Sequence, residues 1–360
     1  MEFGLDYDQK LMQDSVNRAL DRVCPLDRVR EAADANEIAE DVWLALVELG
    51  IPGLLIPEQF GGVGLKLLDA ALVSEALGRH VAPVPFVASC VMAPLALLHA
   101  GSPAQQSKWL PKLAAGEITA GVAISEQIAG ARDGCGVIAK DGRLNGRAMF
   151  AMDFDDAAFF IVADTENKLH LVGATAKGIT ENPLTTIDLT RSLGELSFTD
   201  VEAEPLAHGN ALAALRDAGW TMLAADTLGA GWQMIEKAVD YSKDRKQFDR
   251  VIGSFQAVKH LCAEMAAELE PGRSLVWYAA HAFDAIPSDA SVSAAHAKSY
   301  LSEIGRFVAR TATEVHGGIG ITDLLGLHFW FKRIGLNRQL LGGPERVRHL
   351  AAVMQGFAAA

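Results

Sequence analysis

The chain has 360 residues, half of them hydrophobic and 21% charged, with a net charge of −13, the profile of a well-buried globular protein of two or three domains. The negative balance excludes a nucleic-acid partner, since nothing would offset repulsion by phosphates. No apolar run reaches the roughly eighteen residues that span a bilayer, the N-terminus lacks a basic-then-apolar signal, and four scattered cysteines without a CxxC pair point to buried thiols in a reducing cytoplasm.

Up to about residue 118 the pattern is helical. Ile38, Val42, Leu46 and Leu49 recur at three- and four-residue spacing, with Gly50 placed as a C-cap. Pro52, Pro57, Gly61, Gly62 and Gly64 then forbid a long helix and predict a compact loop. A second helix is expected over 65–79. A short polar one follows in SPAQQSKWLPKLAAGE, broken at Pro111 and closed near Gly116.

From Ile118 to about Leu206 the runs are short and β-like: ITAGVAIS, AAFFIVAD, KLHLVGA and GELSFTDV. Asp141–Gly142 and Asn145–Gly146 sit where turns are expected. Strands at this spacing without intervening helices predict a small antiparallel barrel or sandwich. Long helices resume near residue 210. Met222, Ala225, Leu228, Trp232, Ile235 and Val239 share one face of a helix running to about Arg245; Val258, Leu261, Met265 and Leu269 mark a second, and Ala294 to Val315 a third. Such broad apolar faces imply a bundle with subunit contacts. The expected architecture is α+β and multidomain: helical over 1–118, a central β-barrel over 119–208, and a helical bundle over 209–360.

The usual catalytic templates are absent: there is no GxGxxG after a strand, no P-loop, no GxSxG and no HExxH. Ten scattered histidines give a metal site no support. Three stretches carry chemistry worth weighing. AISEQIAG, 123–130, ends a β-run with a hydroxyl and backbone donors, though alone it reads as a surface loop. KDRKQFD, 243–249, followed by Phe255–Gln256, offers an arginine fork to a diphosphate, though alone it reads as a solvated helix end. Thr313–Arg346 frames an aromatic and basic segment with two glycine pairs, Gly317–Gly318 and Gly342–Gly343, either of which is also an ordinary turn or cap.

In that order these pieces resemble the acyl-CoA dehydrogenase family over nearly the whole chain. GIPGLLIPEQFGGVG is similar to the family's loop between early helices, SKWLPKLAAGE to "LP.L..GE", AISEQIAG to "TEP.AGSD", RKQFD with Gln256 to "R..FG…Q", and EVHGGIG to "Q.HGG.G". The resemblance implies an N-terminal helical domain, a central β-barrel and a C-terminal four-helix bundle. It also implies FAD between barrel and bundle, an acyl-CoA thioester substrate and an oligomer. On the resemblance, Ser125, Phe150, Met152, Arg245, Phe248, Gln256, His316, Gly317 and Gly318 would be the cofactor-binding positions.

Departures from the family pattern concern the chemistry. An α-proton of a thioester is weakly acidic, so a carboxylate must be placed on it. The "YEGT" glutamate position holds Leu341, and the alternative position at the start of the first bundle helix holds Gly219, with Trp220 where a substrate-side arginine is expected. Asp217 and Glu345 are the nearest substitutes. Met152 cannot donate the hydrogen bond of the family's "WIT" hydroxyl, and Ala131, Asp249 and Glu314 replace other expected contacts. This pattern resembles the smaller, base-lacking subunit of heteromeric bacterial acyl-CoA dehydrogenases, which act on steroid side chains and other bulky acyl groups, and implies an α2β2 assembly with a homologous catalytic chain. A homo-oligomeric enzyme with a relocated base or elimination chemistry, and a non-catalytic interaction protein of the same fold, are the competing expectations.

Overall fold

The computed structural model describes residues 4–207 and 211–359. The boundary expected at 208/209 therefore falls outside the described residues. The chain opens with α1 (Tyr7–Val23), started by a reciprocal cap between Asp6 and Gln9, then α2 (Leu26–Ala35), α3 (Glu40–Glu48) and α4 (Leu67–His80). A π-helical turn, Val87–Met92, runs into α5 (Ala93–Ala100), and α6 (Pro103–Ala114) follows. The β region contains β1 (Thr119–Ala123), a one-turn α7 (Ser125–Ala129), β2 (Gly136–Lys140), β3 (Arg143–Met152), β4 (Ala157–Ala163), β5 (Leu169–Gly173), β6 (Ile179–Pro183), β7 (Leu193–Glu202) and β8 (Glu204–Pro205). The C-terminal part holds α8 (Ala211–Asp244), a hairpin of β9 (Lys246–Gln247) and β10 (Arg250–Val251), α9 (Gln256–Ala285), α10 (Pro287–His316), α11 (Leu327–Gln339) and α12 (Pro344–Met354).

Several local expectations are corrected. Asp141–Gly142 does turn β2 into β3, but Asn145–Gly146 lies inside β3, where the register with β7 shifts. Gly146 is needed there because its φ is 119° and a Cβ would stand 2.1 Å from Gly136 O: the Asn-Gly pair makes a bulge instead of a turn. Pro111 sits in the last turn of a continuous α6, giving up one helical hydrogen bond without ending the helix. Ile38 precedes α3, and Leu49 is 42% exposed and outside its apolar stripe. The sheet, ordered β6-β7-β3-β1-β4-β5-β8, is antiparallel except where β1 runs parallel to β4.

The three parts are joined at α8, which packs on α4, α9, α10 and α11. Where α4 crosses α8 the backbones touch: a Cβ on Gly78 would lie 1.9 Å from Asp226 O, and one on Gly229 would lie 1.8 Å from Glu75 O. Only glycine admits this approach. Beside the crossing, Asp226 accepts from Arg333 Nη2 (2.9 Å) and Asn337 Nδ2 (2.6 Å), while Arg333 Nη1 donates to Ala82 O (3.0 Å) and Thr190 Oγ1 (2.9 Å). Arg191 adds a second ion pair to Asp226 at 3.0 Å. Burial alone would push the Asp226 carboxyl up, but the two guanidinium groups overcome it and hold the group below the usual carboxylate range. The β region is tied to the first helices separately, by Asp153 accepting from Ala88 N (2.7 Å) and Ser89 N (3.0 Å) at the start of the π turn.

Arg333→Met leaves Asp226 short of its main partner, and urea unfolding should show a loss of about 3–5 kcal/mol. In the wild type this contribution is complete above about pH 4 and fades as pH falls through the depressed folded pKa of Asp226. The variant should lose that acid-side dependence together with the stability.

Candidate functional site

One cleft, about 540 Å³ in volume, lies where the β region meets α11 and α12. Its β wall begins at the end of β1. There the chain enters α7, and Gly130 leaves it at φ 93°. Ser125 Oγ donates to Phe150 O at 3.4 Å, and Glu126 accepts from Met149 N at 2.7 Å, pinning α7 to β3. Phe150 has φ 57°, unusual for a bulky residue, at the point where β3 slips register against β7. Its ring lines the cleft and carries the Arg132 guanidinium 4.7 Å above its centroid. Burial pushes the Glu126 carboxyl up, and the Met149 N–H offsets part of that rise. Met152, two residues on, is 3% exposed and is not among the lining residues.

The helical wall is the turn between α11 and α12. Leu341 (φ 55°) and Gly342 (φ 100°) reverse the chain, and Arg346 Nε donates to Ile128 O at 2.6 Å across the cleft. The Leu341 carbonyl accepts from Trp220 Nε1 at 2.8 Å, so α8 holds the turn from behind. Behind it too, the fully buried Lys298 donates to Asn337 O and to Arg338 O (3.2 Å), closing the C-terminus of α11. Burial, reinforced by the Arg338 charge, pushes the Lys298 ammonium down to about 7.

The two positions expected to bear a base converge. A Cβ on Gly219 would stand 2.6 Å from Leu341 Cδ1 and 3.2 Å from Met92 Sδ. Both positions thus aim at one spot, and the Leu341 side chain, 2% exposed, fills it. Neither substitute carboxylate reaches it. Asp217 is buried and bonded to Arg216 and Ser291, outside the cleft. Glu345 does line the cleft but is paired with Arg338 at 3.1 Å. Its carboxyl is held down by its own backbone N–H and by Arg338.

The remaining sequence-derived positions gather at the far end of α8. His316 stacks on Tyr241 with ring centroids 4.7 Å apart, and its Nδ1 donates to Ala312 O at 2.7 Å. Burial pushes the ring's pKa down, against the pull of that bond. Arg245, Gln256, Gly317 and Gly318 are exposed, and Phe248 on the hairpin is 87% exposed with its ring edge-on to Phe255. Trp220 and Arg245 are separated by 25 positions of the sequence, about 37 Å at 1.5 Å per helical residue. The positions therefore form two clusters, and one chain does not bring them together. Glu126, Arg132, Gln339 and Arg346 line the cleft without having been singled out from sequence. Glu126 lay in plain view inside AISEQIAG, whereas nothing local marked the two arginines.

The family model for the acyl-CoA dehydrogenase N-terminal domain matches residues 6–117, and that for the C-terminal domain matches 216–355. Acyl-CoA dehydrogenase IpdE2 of Mycolicibacterium smegmatis is 33% identical over 97% of this chain and 99% of its own length. The chain belongs to the acyl-CoA dehydrogenase family. Among solved structures, the ChsE4-ChsE5 complex from Mycobacterium tuberculosis matches with TM-score 0.92 and 26% identity over the full length of both chains. A variant of the Tcur3481-Tcur3483 steroid ACAD matches with TM-score 0.89 and 28% identity over 97% of this chain and 98% of that one. Members of this family are FAD-dependent oxidoreductases of acyl-CoA thioesters. In this acyl-CoA dehydrogenase the cleft has a hydroxyl, an aromatic ring and two guanidinium groups suited to such a cofactor or substrate. It has no unpaired carboxylate at the Gly219–Leu341 corner.

Two outcomes check this geometry. Gly219→Ala should cost about 1–3 kcal/mol by overpacking, and a double-mutant cycle with Leu341→Ala should show the two losses summing to more than the double variant loses. Lys298 binds fewer protons folded than unfolded between about pH 7 and its unfolded value of 10.5, so stability should rise with pH across that window. In Lys298→Met the slope should vanish in pH-dependent urea titrations.

Proposed function

We propose that this chain is the base-lacking subunit of a heteromeric, FAD-dependent acyl-CoA dehydrogenase. In this reading it assembles as α2β2 with a homologous catalytic chain, and the assembly oxidises the α,β-bond of a bulky acyl-CoA such as a steroid side-chain thioester. The observation that carries the reading is the corner where Gly219 and Leu341 meet. A base acting on a weakly acidic α-proton must be unpaired and aimed at it, and an aliphatic side chain occupies that place. Two of the similar solved structures bear the names of paired chains, ChsE4-ChsE5 and Tcur3481-Tcur3483, and the second is called a steroid ACAD.

The separation of the two residue clusters supports the same reading. Arg245 lies about 37 Å along α8 from Trp220, and Phe248, Gln256, His316, Gly317 and Gly318 gather at that far end, apart from Ser125 and Phe150. The Arg245–His316 cluster would reach across the interface to complete a flavin site whose ring-binding part lies in the catalytic partner. Bound flavin supplies the hydride acceptor. From this chain, Arg245 would offer its fork to the diphosphate, the Gly317–Gly318 backbone would admit it, and Phe248, exposed here, would be covered by the partner. Residues 1–118, 119–208 and 209–360 are its three domains in this reading, and four unpaired thiols support a cytoplasmic setting.

Glu345 is the one feature favouring a self-sufficient enzyme, since it lines the cleft. Its pairing with Arg338 and its depressed pKa make it a poor proton acceptor.

Co-expression with a homologous chain should give a stable complex with about one FAD per heterodimer. Dehydrogenation should survive Glu345→Gln in this chain. A homo-oligomer of this chain that turns over an acyl-CoA, and loses that turnover in Glu345→Gln, would favour the self-sufficient alternative. An absorbance spectrum without flavin bands, alone and with the partner, would leave only the non-catalytic role.

A further inference from the structure

A second crevice, about 320 Å³ in volume and sharing no lining residue with the cleft, opens where the first helices meet the bundle. Residues of α1, α4, α8 and α9 all contribute to its wall. The close approach of Gly229 to the Glu75 backbone draws α4 and α8 together at this point. Glu75 lines the crevice and is only 9% exposed.

Charge in this crevice is not balanced. Arg79 and Glu236 close on each other, with Nη1 donating to Oε1 at 2.8 Å. Arg273 alone serves two carboxylates: its Nη1 donates to Glu75 Oε1 at 2.5 Å, and its Nε stands 3.6 Å from Glu270 Oε1. Three carboxylates thus face two guanidinium groups, and one positive charge is missing. Hydrogen bonds are missing as well. Glu75 Oε2, Asn17 Oδ1 and Trp232 Nε1 are buried without a partner among the described residues, and all three side chains line the crevice. Asn17 Nδ2 donates to Gln13 O at 2.9 Å, so the amide oxygen is the uncommitted end. Burial pushes the Glu75 carboxyl up even though Arg273 pulls it down, as expected of a carboxylate short of positive charge. Orphaned buried groups of this kind are costly, and a ligand that reaches them recovers that cost.

We propose that this crevice binds a small amino alcohol, its ammonium on Glu75 Oε2 and Asn17 Oδ1 and its hydroxyl accepting from Trp232 Nε1. An ammonium donates three hydrogen bonds from one atom and supplies the missing charge. A guanidinium fits less well, because its fork matches both oxygens of a carboxylate and Arg273 already holds one of them. A bare metal ion would leave the indole N–H facing a cation. Ordered water alone would meet the hydrogen bonds but not the charge. The inference rests on neither the flavin nor a partner chain.

The test follows the full chain by thermal unfolding and tryptophan fluorescence as ethanolamine hydrochloride is added at neutral pH and constant ionic strength. Tetramethylammonium chloride and sodium chloride are the comparators, since both carry the charge without N–H donors. With ethanolamine the wild type should show a saturable rise in melting temperature and a saturable fluorescence change. The comparators should give neither. Glu75→Gln and Asn17→Ala should each weaken binding by roughly tenfold or more. Glu75→Gln also disturbs the Arg273 pair, whereas Asn17 bonds only within α1. Asn17→Ala should therefore melt at least as high as the wild type without ligand, so its effect reads the site and not the scaffold. Trp232→Phe should silence the fluorescence change and keep a weaker thermal response. No saturable response to ethanolamine, an equal response to tetramethylammonium, or unchanged affinity in Asn17→Ala and Glu75→Gln overturns the proposal and leaves the crevice to ordered water.

Discussion

The buried contact between Asp226 and Arg333 is the constraint on which the rest of the molecule depends. It joins the middle of α8 to α11, and through Ala82 O and Thr190 Oγ1 the same guanidinium reaches the first helices and the β region. A buried ion pair is not in itself strong evidence of stability, because desolvating both charges offsets most of their attraction. Here nearly every donor of Arg333 has an acceptor, and Asp226 also accepts from Asn337 and is ion-paired to Arg191, although Arg191 Nη2 and Asn337 Oδ1 have no hydrogen-bond partner among the described residues. The Arg333 contacts to all three parts favour one arrangement of them over others.

That arrangement sets the course of α8, and α8 in turn sets the functional geography. The Gly78–Gly229 crossing lets α4 and α8 touch backbone to backbone, which locks the helix in register. One end of α8 then presents Gly219 and Trp220 to the Leu341 turn, and the other carries Arg245 toward the His316 cluster. The Leu341 turn itself is kept with care. Trp220 bonds its carbonyl, Lys298 closes the helix before it, and Arg346 straps the strand side to it. The backbone of the corner is thus braced on three sides while its side chain is aliphatic. Bracing without a carboxylate fits a chain whose site is shaped for binding and whose proton transfer is supplied elsewhere.

Much of the architecture was legible in the sequence because hydrophobic periodicity reports burial directly. The 3.6-residue series through Met222 and Val239 marks α8, and the runs AAFFIVAD and KLHLVGA mark β4 and β5. Legibility failed where one residue type serves two geometries. Asn145–Gly146 reads as a turn but makes a bulge inside β3, and Pro111 reads as a break but lies inside a continuous helix. The apolar stretch over 87–100 forms a π turn and α5, and the turn is held by Asp153 just beyond the end of β3, a contact from far along the chain.

By itself the sequence determined the family, the order of helical, β and helical parts, and the absence of a carboxylate at Gly219 and Leu341, because each of these is a matter of residue identity or local period. Only the tertiary structure decided that those two positions aim at one point, that Met152 lies buried away from the cleft while Phe150 faces it, and that Arg132 and Arg346 share a wall with Glu126. The reason is physical. Side-chain direction depends on a register slip in β3 and on the path of α8 past α4, and both are set by contacts between residues far apart in the chain.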